Sequence, residues 1–177
     1  NGCDDPGSPG PDFRMGYGLF NAATSVAQID EDYGLGRGSQ IKEFVLQDGE
    51  SVSWLVNVSA GSKLSVTAAW SDPAGPGQSS GGTPDIQTPA LINNIDIEME
   101  HVDTTDSLLP WVLNPDLDGE NPAVRATAAT PGVDNRNNVE KISAESPIPG
   151  IYKITVTHSG GLENNPPPTA QEISVVS

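Results

Sequence analysis

Three short segments of this 177-residue chain bring carboxylate and amide oxygens close together. They read WSDPAG (residues 70–75), NNIDIE (residues 93–98) and DNRNNVE (residues 134–140). Calcium takes about six to eight oxygen ligands, often from separate segments, so the pattern is compatible with one discontinuous calcium site. Asn and Asp also cap turns through their side chains, and the spacing alone favours that structural role over a calcium site.

A fourth acidic segment, NPDLDGE (residues 114–120), places oxygen donors at alternate positions before a glycine, as the first half of an EF-hand loop does. The twelfth position of such a loop requires a bidentate Glu, and here it is Arg125. We therefore interpret this segment as a solvated acidic turn.

Residues suited to catalysis are few. The two histidines, His101 and His158, end two predicted strands, and we interpret both as strand-end residues. Cys3 is the lone cysteine, so an internal disulfide is excluded. Neither a G-x-S-x-G nor an H-E-x-x-H motif occurs. A paired-carboxylate site stays open, but nothing in the sequence selects a pair.

The net charge of −16, from 24 acidic and 8 basic residues, repels phosphate backbones and argues against nucleic-acid binding. Such a negative charge favours solubility and is compatible with binding of divalent cations. No segment approaches the roughly 18 consecutive apolar residues of a membrane helix, so we expect no membrane partner. The chain opens on Asn1 rather than Met, which we interpret as the start of an excised fragment or processed product.

Apolar residues recur with one spacing near the start of the chain and with another in the rest of it. A helix is predicted over about residues 18–29, with a narrow apolar stripe of Leu19, Ala22, Ala23, Val26 and Ile29. Beyond Gln40 the period becomes two, and the first two strands, IKEFVL and SVSWLVNV, flank a turn around QDG (residues 47–49) that predicts a hairpin.

Seven or eight strands separated by turns predict an antiparallel β-sandwich. Its predicted core contains seven residues that alternate within their strands: Ile95, Ile97, Val139, Ile142, Tyr152, Ile154 and Val156.

Six segments in order resemble the C-terminal part of secreted bacterial subtilisin-like proteases (subtilases) of the alkaline, oxidatively stable type. GPDFRMGYGLFNA (residues 10–22) resembles the segment that leads out of their catalytic domain. The other five, which resemble motifs of their C-terminal β-sandwich, are AAWSDPAG (68–75), LINNIDI (91–97), NNVE (137–140), PIPGIYKITV (147–156) and QEISVV (171–176). The resemblance covers nearly the whole chain, but the family's Asp, His and Ser triad motifs do not occur in it.

This resemblance implies a jelly-roll sandwich like the P domain of proprotein convertases, with one N-terminal helix. Residues 1–36 would be the tail and last helix of a missing subtilase catalytic domain, and residues 37–177 the sandwich. The implied function is a non-catalytic C-terminal domain of a secreted serine endopeptidase, which stabilises the catalytic domain of the same chain and helps to orient a protein substrate.

The resemblance also implies calcium. Where its motifs coincide with hard oxygen ligands, the expected metal ligands are Asp72, Asn94, Asp96, Asn138 and Glu140. The family has Asp at the position of Asn94, so this chain lacks one of the family's carboxylates there.

Two other functions would need features that differ from those above. A carbohydrate- or surface-binding jelly roll would present exposed aromatic rings for stacking on sugars, yet Trp54 and Trp70 lie within predicted strands and only Trp111 lies in an irregular region. An independent enzyme would need a catalytic constellation, which the sequence does not show.

Overall fold

The computed structural model describes residues 10–12, 16–75, 89–113, 127–145, 147–162 and 166–177. Cys3 and the acidic segment 114–120 with Arg125 lie outside the described residues. The described elements are one helix, α1 (Ala22–Gly34), and ten strands: β1 (Ile41–Leu46), β2 (Ser51–Val58), β3 (Leu64–Trp70), β4 (Ile95–His101), β5 (Ser107–Leu108), β6 (Trp111–Val112), β7 (Thr130–Pro131), β8 (Val139–Ala144), β9 (Gly150–His158) and β10 (Gln171–Val176).

The strands form a jelly roll, as predicted. Two four-stranded antiparallel sheets have the orders β1-β10-β3-β8 and β2-β9-β4-β5, and β6 pairs with β7 in a small separate ribbon. The pairs β1·β10, β2·β9, β3·β8 and β4·β5 are nested in the sequence, like a long hairpin rolled over two sheets. Residues far apart in sequence therefore meet at the strand ends.

The predicted hairpin between the first two strands is wrong. A tight turn does form, since Glu50 N donates to Gln47 O at 2.9 Å. However, β1 pairs with β10 and β2 pairs with β9, so this turn carries the chain from one sheet to the other. Each strand gains a long antiparallel partner in its own sheet, and the two strands face each other across the core, where Phe44 packs edge-on against Trp54.

The core lies between the two sheets and confirms most of the predicted alternation. Ile95, Ile97, Ile142, Tyr152, Ile154 and Val156 are all buried. Val139 is only half-buried, contrary to the prediction, because residues 139 and 142 differ in parity and cannot share one face of a strand. Glu140 has the parity of Ile142 and takes the inward position, so a carboxylate is fully buried at the start of β8.

The helix begins and ends later than predicted. Gly18 has a positive φ of 99°, outside the helical range, and Asn21 caps the helix by accepting a hydrogen bond from Thr24 N through Oδ1. At the other end the acidic residues after Ile29 continue the helix, and it stops at Gly34, before Gly36 with φ 101°.

One side of α1 is fixed to the loop before β1 by Asp32, the helix's buried residue. Its carboxylate accepts hydrogen bonds from the backbone N–H groups of Gly38, Gln40 and Ile41. These bonds hold the pKa of Asp32 below its usual value. The helix is thus attached to the sandwich through a polar contact rather than through its apolar stripe.

Candidate functional site

The buried carboxylate of Glu140 lies where the two sheets meet at one open side of the sandwich. Its Oε2 accepts a hydrogen bond from Ile97 N of β4 at 2.8 Å, which links β8 of one sheet to β4 of the other. Strand β5 covers β4 only at Met99 and Glu100, so the short edge strand stops before Ile97. Oε1 of Glu140 is also buried and has no hydrogen-bond partner.

Asp96 and Asn94 lie at the start of β4, one and three residues before Ile97. Oδ2 of Asp96 accepts hydrogen bonds from Ser159 Oγ and, at 3.3 Å, from Asn94 Nδ2. The other atom of that amide, Asn94 Oδ1, is buried and has no partner. Because the two polar atoms of one amide are adjacent, this second unpaired oxygen lies beside the Asp96 carboxylate.

Asp134 adds a third carboxylate from the loop before β8, and it is 1% exposed. Oδ1 accepts from the backbone N–H groups of Arg136 and Asn137, and Oδ2 accepts from Asn137 Nδ2 at 2.6 Å. These bonds fold the loop around the carboxylate. Asp134 lies in the segment DNRNNVE, but the sequence pattern did not indicate Asp134 as a ligand. The missed signal is that Asp134 begins a turn that leads directly to Glu140.

The three acids act on one another electrostatically. Burial raises the pKa of Glu140 to about 9, the hydrogen bond from Ile97 opposes this rise, and the negative charges of Asp96 and Asp134 add to it. Burial also raises the pKa of Asp96, against the hydrogen bond from Ser159, and Asp134 again contributes. We call Asn94, Asp96, Asp134 and Glu140 the acidic cluster.

Tyr17 attaches the segment before α1 to the edge of this cluster. Its hydroxyl donates to the carbonyl oxygen of Val139, next to Glu140, at 3.0 Å. Burial, together with the charges of Asp134 and Glu140, raises the pKa of Tyr17 to about 12. The phenol therefore keeps its proton and its role as a donor at neutral pH.

The structure brings together three of the five ligands expected from the sequence: Asn94, Asp96 and Glu140. Asp72 has a different role, since its two oxygens accept hydrogen bonds from the backbone N–H groups of Ile92 and Asn93 at 2.7 and 2.9 Å. Asn138 is exposed, and its Nδ2 donates to the carbonyl oxygen of Trp70, which extends the pairing of β3 with β8.

The donor chemistry of the acidic cluster fits a hard cation such as calcium, because it offers carboxylate and amide oxygens, two of them buried and unpaired. The geometry is not that of a finished site. Among the residues that the structure describes, no three His, Cys, Asp or Glu side chains are arranged to hold a metal ion as they stand. Binding would require side-chain rotation, for which half-buried Asp96 has the most room.

Both histidines are occupied by structural hydrogen bonds. His101 Nδ1 accepts from the N–H groups of Asp103 and Thr104, and Nε2 lies 3.3 Å from the Pro149 carbonyl oxygen. His158 Nδ1 accepts from Gly160 N, and Nε2 lies 3.0 Å from the Thr169 carbonyl oxygen. Both rings are buried at the ends of β4 and β9, so neither offers a free nitrogen to a substrate.

A second surface feature is the apolar stripe of α1. In the structure this stripe consists of Ala22, Val26, Ile29 and Tyr33, which follow one another at helical spacing and are all exposed. Of the other predicted members, Leu19 precedes the helix and Ala23 lies beside this line, and both are also exposed. Val26 is 56% exposed and Ile29 57%, and Phe20, just before the helix, is 84% exposed. The sandwich therefore leaves uncovered the side of the helix that the sequence predicted to be packed.

Comparison with known proteins gave no match, either to a model of a protein family or to a curated protein. In the described part of the chain, no helix is long and apolar enough to cross a membrane.

Proposed function

We propose that this chain is the non-catalytic C-terminal jelly-roll module of a secreted subtilisin-like serine endopeptidase. In this proposal α1 packs against the catalytic domain of the same polypeptide, and the module stabilises that domain and helps to orient its protein substrate. The observation that carries the proposal is the orientation of α1, which is attached to the sandwich by its polar side and exposes its apolar stripe.

The energetics of the helix support a partner surface. Large apolar side chains gain about 1.5–3 kcal/mol each when they are fully buried, and Val26, Ile29 and Tyr33 forgo much of this on the sandwich. Asp30, exposed beside the stripe, adds negative charge to a chain whose net charge is −16. A second copy would repel this surface, whereas an apolar groove bordered by basic side chains would complement it.

The positions of the sequence motifs give independent support. The segments that resemble the subtilase sandwich coincide with structural elements: the WSDP segment ends β3, NNIDI opens β4, NNVE opens β8, the next motif covers most of β9, and the last coincides with β10. These five strands belong to the two sheets of the jelly roll.

The test needs the longer protein, a subtilase catalytic domain followed by this module. Two variants are compared with the unsubstituted protease: the double substitution Val26→Glu/Ile29→Glu in the stripe, and the control Ala27→Glu, which adds a charge at an exposed helix position outside it. We expect the double variant to lose activity at least several-fold faster on heating, because charged groups cannot enter an apolar contact without a desolvation cost.

The control should inactivate at the unsubstituted rate. Equal inactivation rates for all three proteins would contradict the proposal, as would cleavage of casein by the isolated 177-residue chain in a manner blocked by a serine-directed inhibitor.

The alternative of a carbohydrate-binding module has less support. None of the three tryptophans is exposed, and the indole of Trp111 donates to Ser143 Oγ at 2.9 Å. Among the exposed aromatic rings of the described residues, Phe20 and Tyr33 belong to the helix surface already described, and the hydroxyl of Tyr17 donates to Val139. Retention on an insoluble glycan, lost on substitution of Phe20 and Tyr33 by alanine, would favour the alternative.

A further inference from the structure

We propose that β2 pairs with β2 of a second copy of this chain, through the edge that faces away from β9, so that two sandwiches share one continuous sheet. The two strands run antiparallel about a two-fold axis, as in most protein dimers. This inference does not rest on the proposed function, because the contact uses neither α1 nor a catalytic domain.

One side of β2 presents backbone groups that have no strand partner. Among the described residues, β2 pairs on one side only, with β9. His158 N donates to Glu50 O at 2.8 Å, one residue before the first registered pair, Ser51 with Thr157. Hydrogen-bonded pairs alternate along an antiparallel ladder, so the N–H and C=O groups of every second residue of β2 point away from β9. We call these four residues the β2 edge: Ser51, Ser53, Leu55 and Asn57.

The β2 edge lacks the features that protect the other edge strands of the two four-stranded sheets. Strand β5 is only two residues long, β8 carries Glu140 and Lys141, and β1 carries Lys42 and Glu43. Strand β2 has eight residues, SVSWLVNV, without a charged residue, a proline or a glycine. Because proteins use short length, charge and proline to keep edge strands from pairing with other chains, β2 is the edge most open to such pairing.

The side chains of the β2 edge are compatible with pairing to themselves. All four are exposed and uncharged, and Leu55 is 62% exposed. Antiparallel pairing places the start of one strand beside the end of its partner. Asp48 and Glu50, just before β2, therefore lie across from the uncharged residues 58–60 of the second copy and not from each other. No like charges face each other directly, which would destabilise the pair.

The net charge of −16 does not oppose this contact strongly, because the acids of the same face lie far from it. Beyond β2 comes β9, where Lys153 is opposite Leu55. Asp96, Glu98 and Glu100 follow on β4, the next strand. With about 4.8 Å between neighbouring strands, the two copies of β4 would be about 24 Å apart, well beyond the Debye length of about 8 Å at physiological ionic strength.

A second copy fits the β2 edge better than a flexible peptide does. Its β2 has the same length and is already held extended by β9, so pairing loses less conformational entropy. Backbone hydrogen bonds and the burial of Leu55 supply the affinity. A contact between two single strands is smaller than the roughly 1,200–2,000 Å² of a stable interface, so we expect a weak and reversible dimer.

Sedimentation equilibrium of the 177-residue chain at physiological ionic strength tests the pairing, with a reductant present to keep Cys3 from forming a disulfide. We expect the mass to rise from that of one chain towards that of two as the concentration increases. Leu55→Glu places a carboxylate on the β2 edge, opposite Lys153 of the same chain. We expect it to weaken dimerisation about tenfold or more, because it removes an apolar contact and brings like charges together.

The matched control is Ile151→Glu, which adds the same charge at an exposed position of the same sheet face, on β9. The two copies of residue 151 would be about 14 Å apart in the dimer, so the control should dimerise almost as the unsubstituted chain does. Val26→Glu/Ile29→Glu should also dimerise normally, since α1 is not part of the contact.

Amide hydrogen exchange identifies the paired edge directly. The amides of Ser53, Leu55 and Asn57 should exchange more slowly as the concentration rises, whereas those of Val52 and Trp54, which face β9, should be protected at every concentration. This measurement on the unsubstituted chain decides if Leu55→Glu fails to fold.

A chain that stays monomeric up to about 1 mM would overturn the proposal. So would a dimer that Leu55→Glu leaves intact or that Val26→Glu/Ile29→Glu abolishes, because another surface would then form the contact. Protection of the β2 edge amides in the dilute monomer would overturn it as well, since the chain itself would then cover this edge.

Discussion

At the scale of single residues, a carboxyl group buried between two sheets must be neutralised, and Glu140 can achieve this with a proton or with a cation. Without metal the proton is favoured, because burial raises the pKa of Glu140 from 4.5 to about 9. In the unfolded chain the same group regains its ordinary pKa and ionises at neutral pH. The two states therefore differ by one bound proton over this range.

This difference predicts a pH dependence of stability in the presence of a chelator. Between about pH 5 and 9 the folded state binds one proton more than the unfolded state, so the free energy of unfolding falls as pH rises. The contribution of Glu140 to the free energy of unfolding is fully present below its pKa in the unfolded chain and is lost as pH rises through its pKa in the folded protein. The slope from this residue approaches about 1.4 kcal/mol per pH unit.

Glu140→Gln removes this contribution and flattens the profile. Urea unfolding of both proteins at several pH values in chelator measures the difference, and titration of groups that do not interact with Glu140 cancels in it. Parallel profiles for the two proteins would show that Glu140 titrates normally in the folded state.

The sequence predicted Glu140 as an oxygen ligand but not as a core residue. Strand alternation could have indicated its burial, yet Val139 is apolar and was assigned to the core in its place. Asp134 was missed because its proximity to Asp96 depends on the pairing of β3 with β8 and on the packing of two sheets, which local sequence does not encode.

At the scale of elements, Asp32 determines how α1 is held on the sandwich. Substitution Asp32→Ala removes the acceptor for the N–H groups of Gly38, Gln40 and Ile41. We expect faster amide hydrogen exchange at these three positions and along the helix, with the strands of the sandwich unaffected beyond Ile41, the first residue of β1. Glu31→Ala, at a neighbouring exposed position, is the control.

Acidification should act in the same direction as Asp32→Ala. The pKa of Asp32 is lowered in the folded state. Its contribution to the free energy of unfolding is therefore present above its pKa in the unfolded chain and is lost as pH falls through its pKa in the folded protein. Unchanged exchange at residues 38–41 in Asp32→Ala would mean that other contacts hold the helix.

Local sequence patterns were sufficient to predict the buried face of some strands. Alternation placed Ile95, Ile97 and Met99 on one face of β4, and these residues are buried. Turn residues also located the bend between β1 and β2. The same signal could not tell a hairpin from a crossing between sheets, because both use a tight turn and the choice depends on distant β9 and β10.

At the scale of the whole molecule, the jelly roll leaves two features that its own packing does not satisfy. The acidic cluster lies at the open side of the sandwich, and the apolar stripe of α1 faces outward. The first is an electrostatic imbalance and the second is an unburied hydrophobic surface.

We propose that α1 is covered by the catalytic domain of a protease, and amide hydrogen exchange over residues 22–34 reports on this contact. Exchange is measured in the isolated 177-residue chain and in the longer protease that contains it, with the buried strands β3 and β9 as internal references. We expect exchange in α1 to be at least about tenfold slower in the longer protein, while the two strands exchange equally in both. The same rate for α1 in both proteins, fast or slow, would show that no catalytic domain covers the helix.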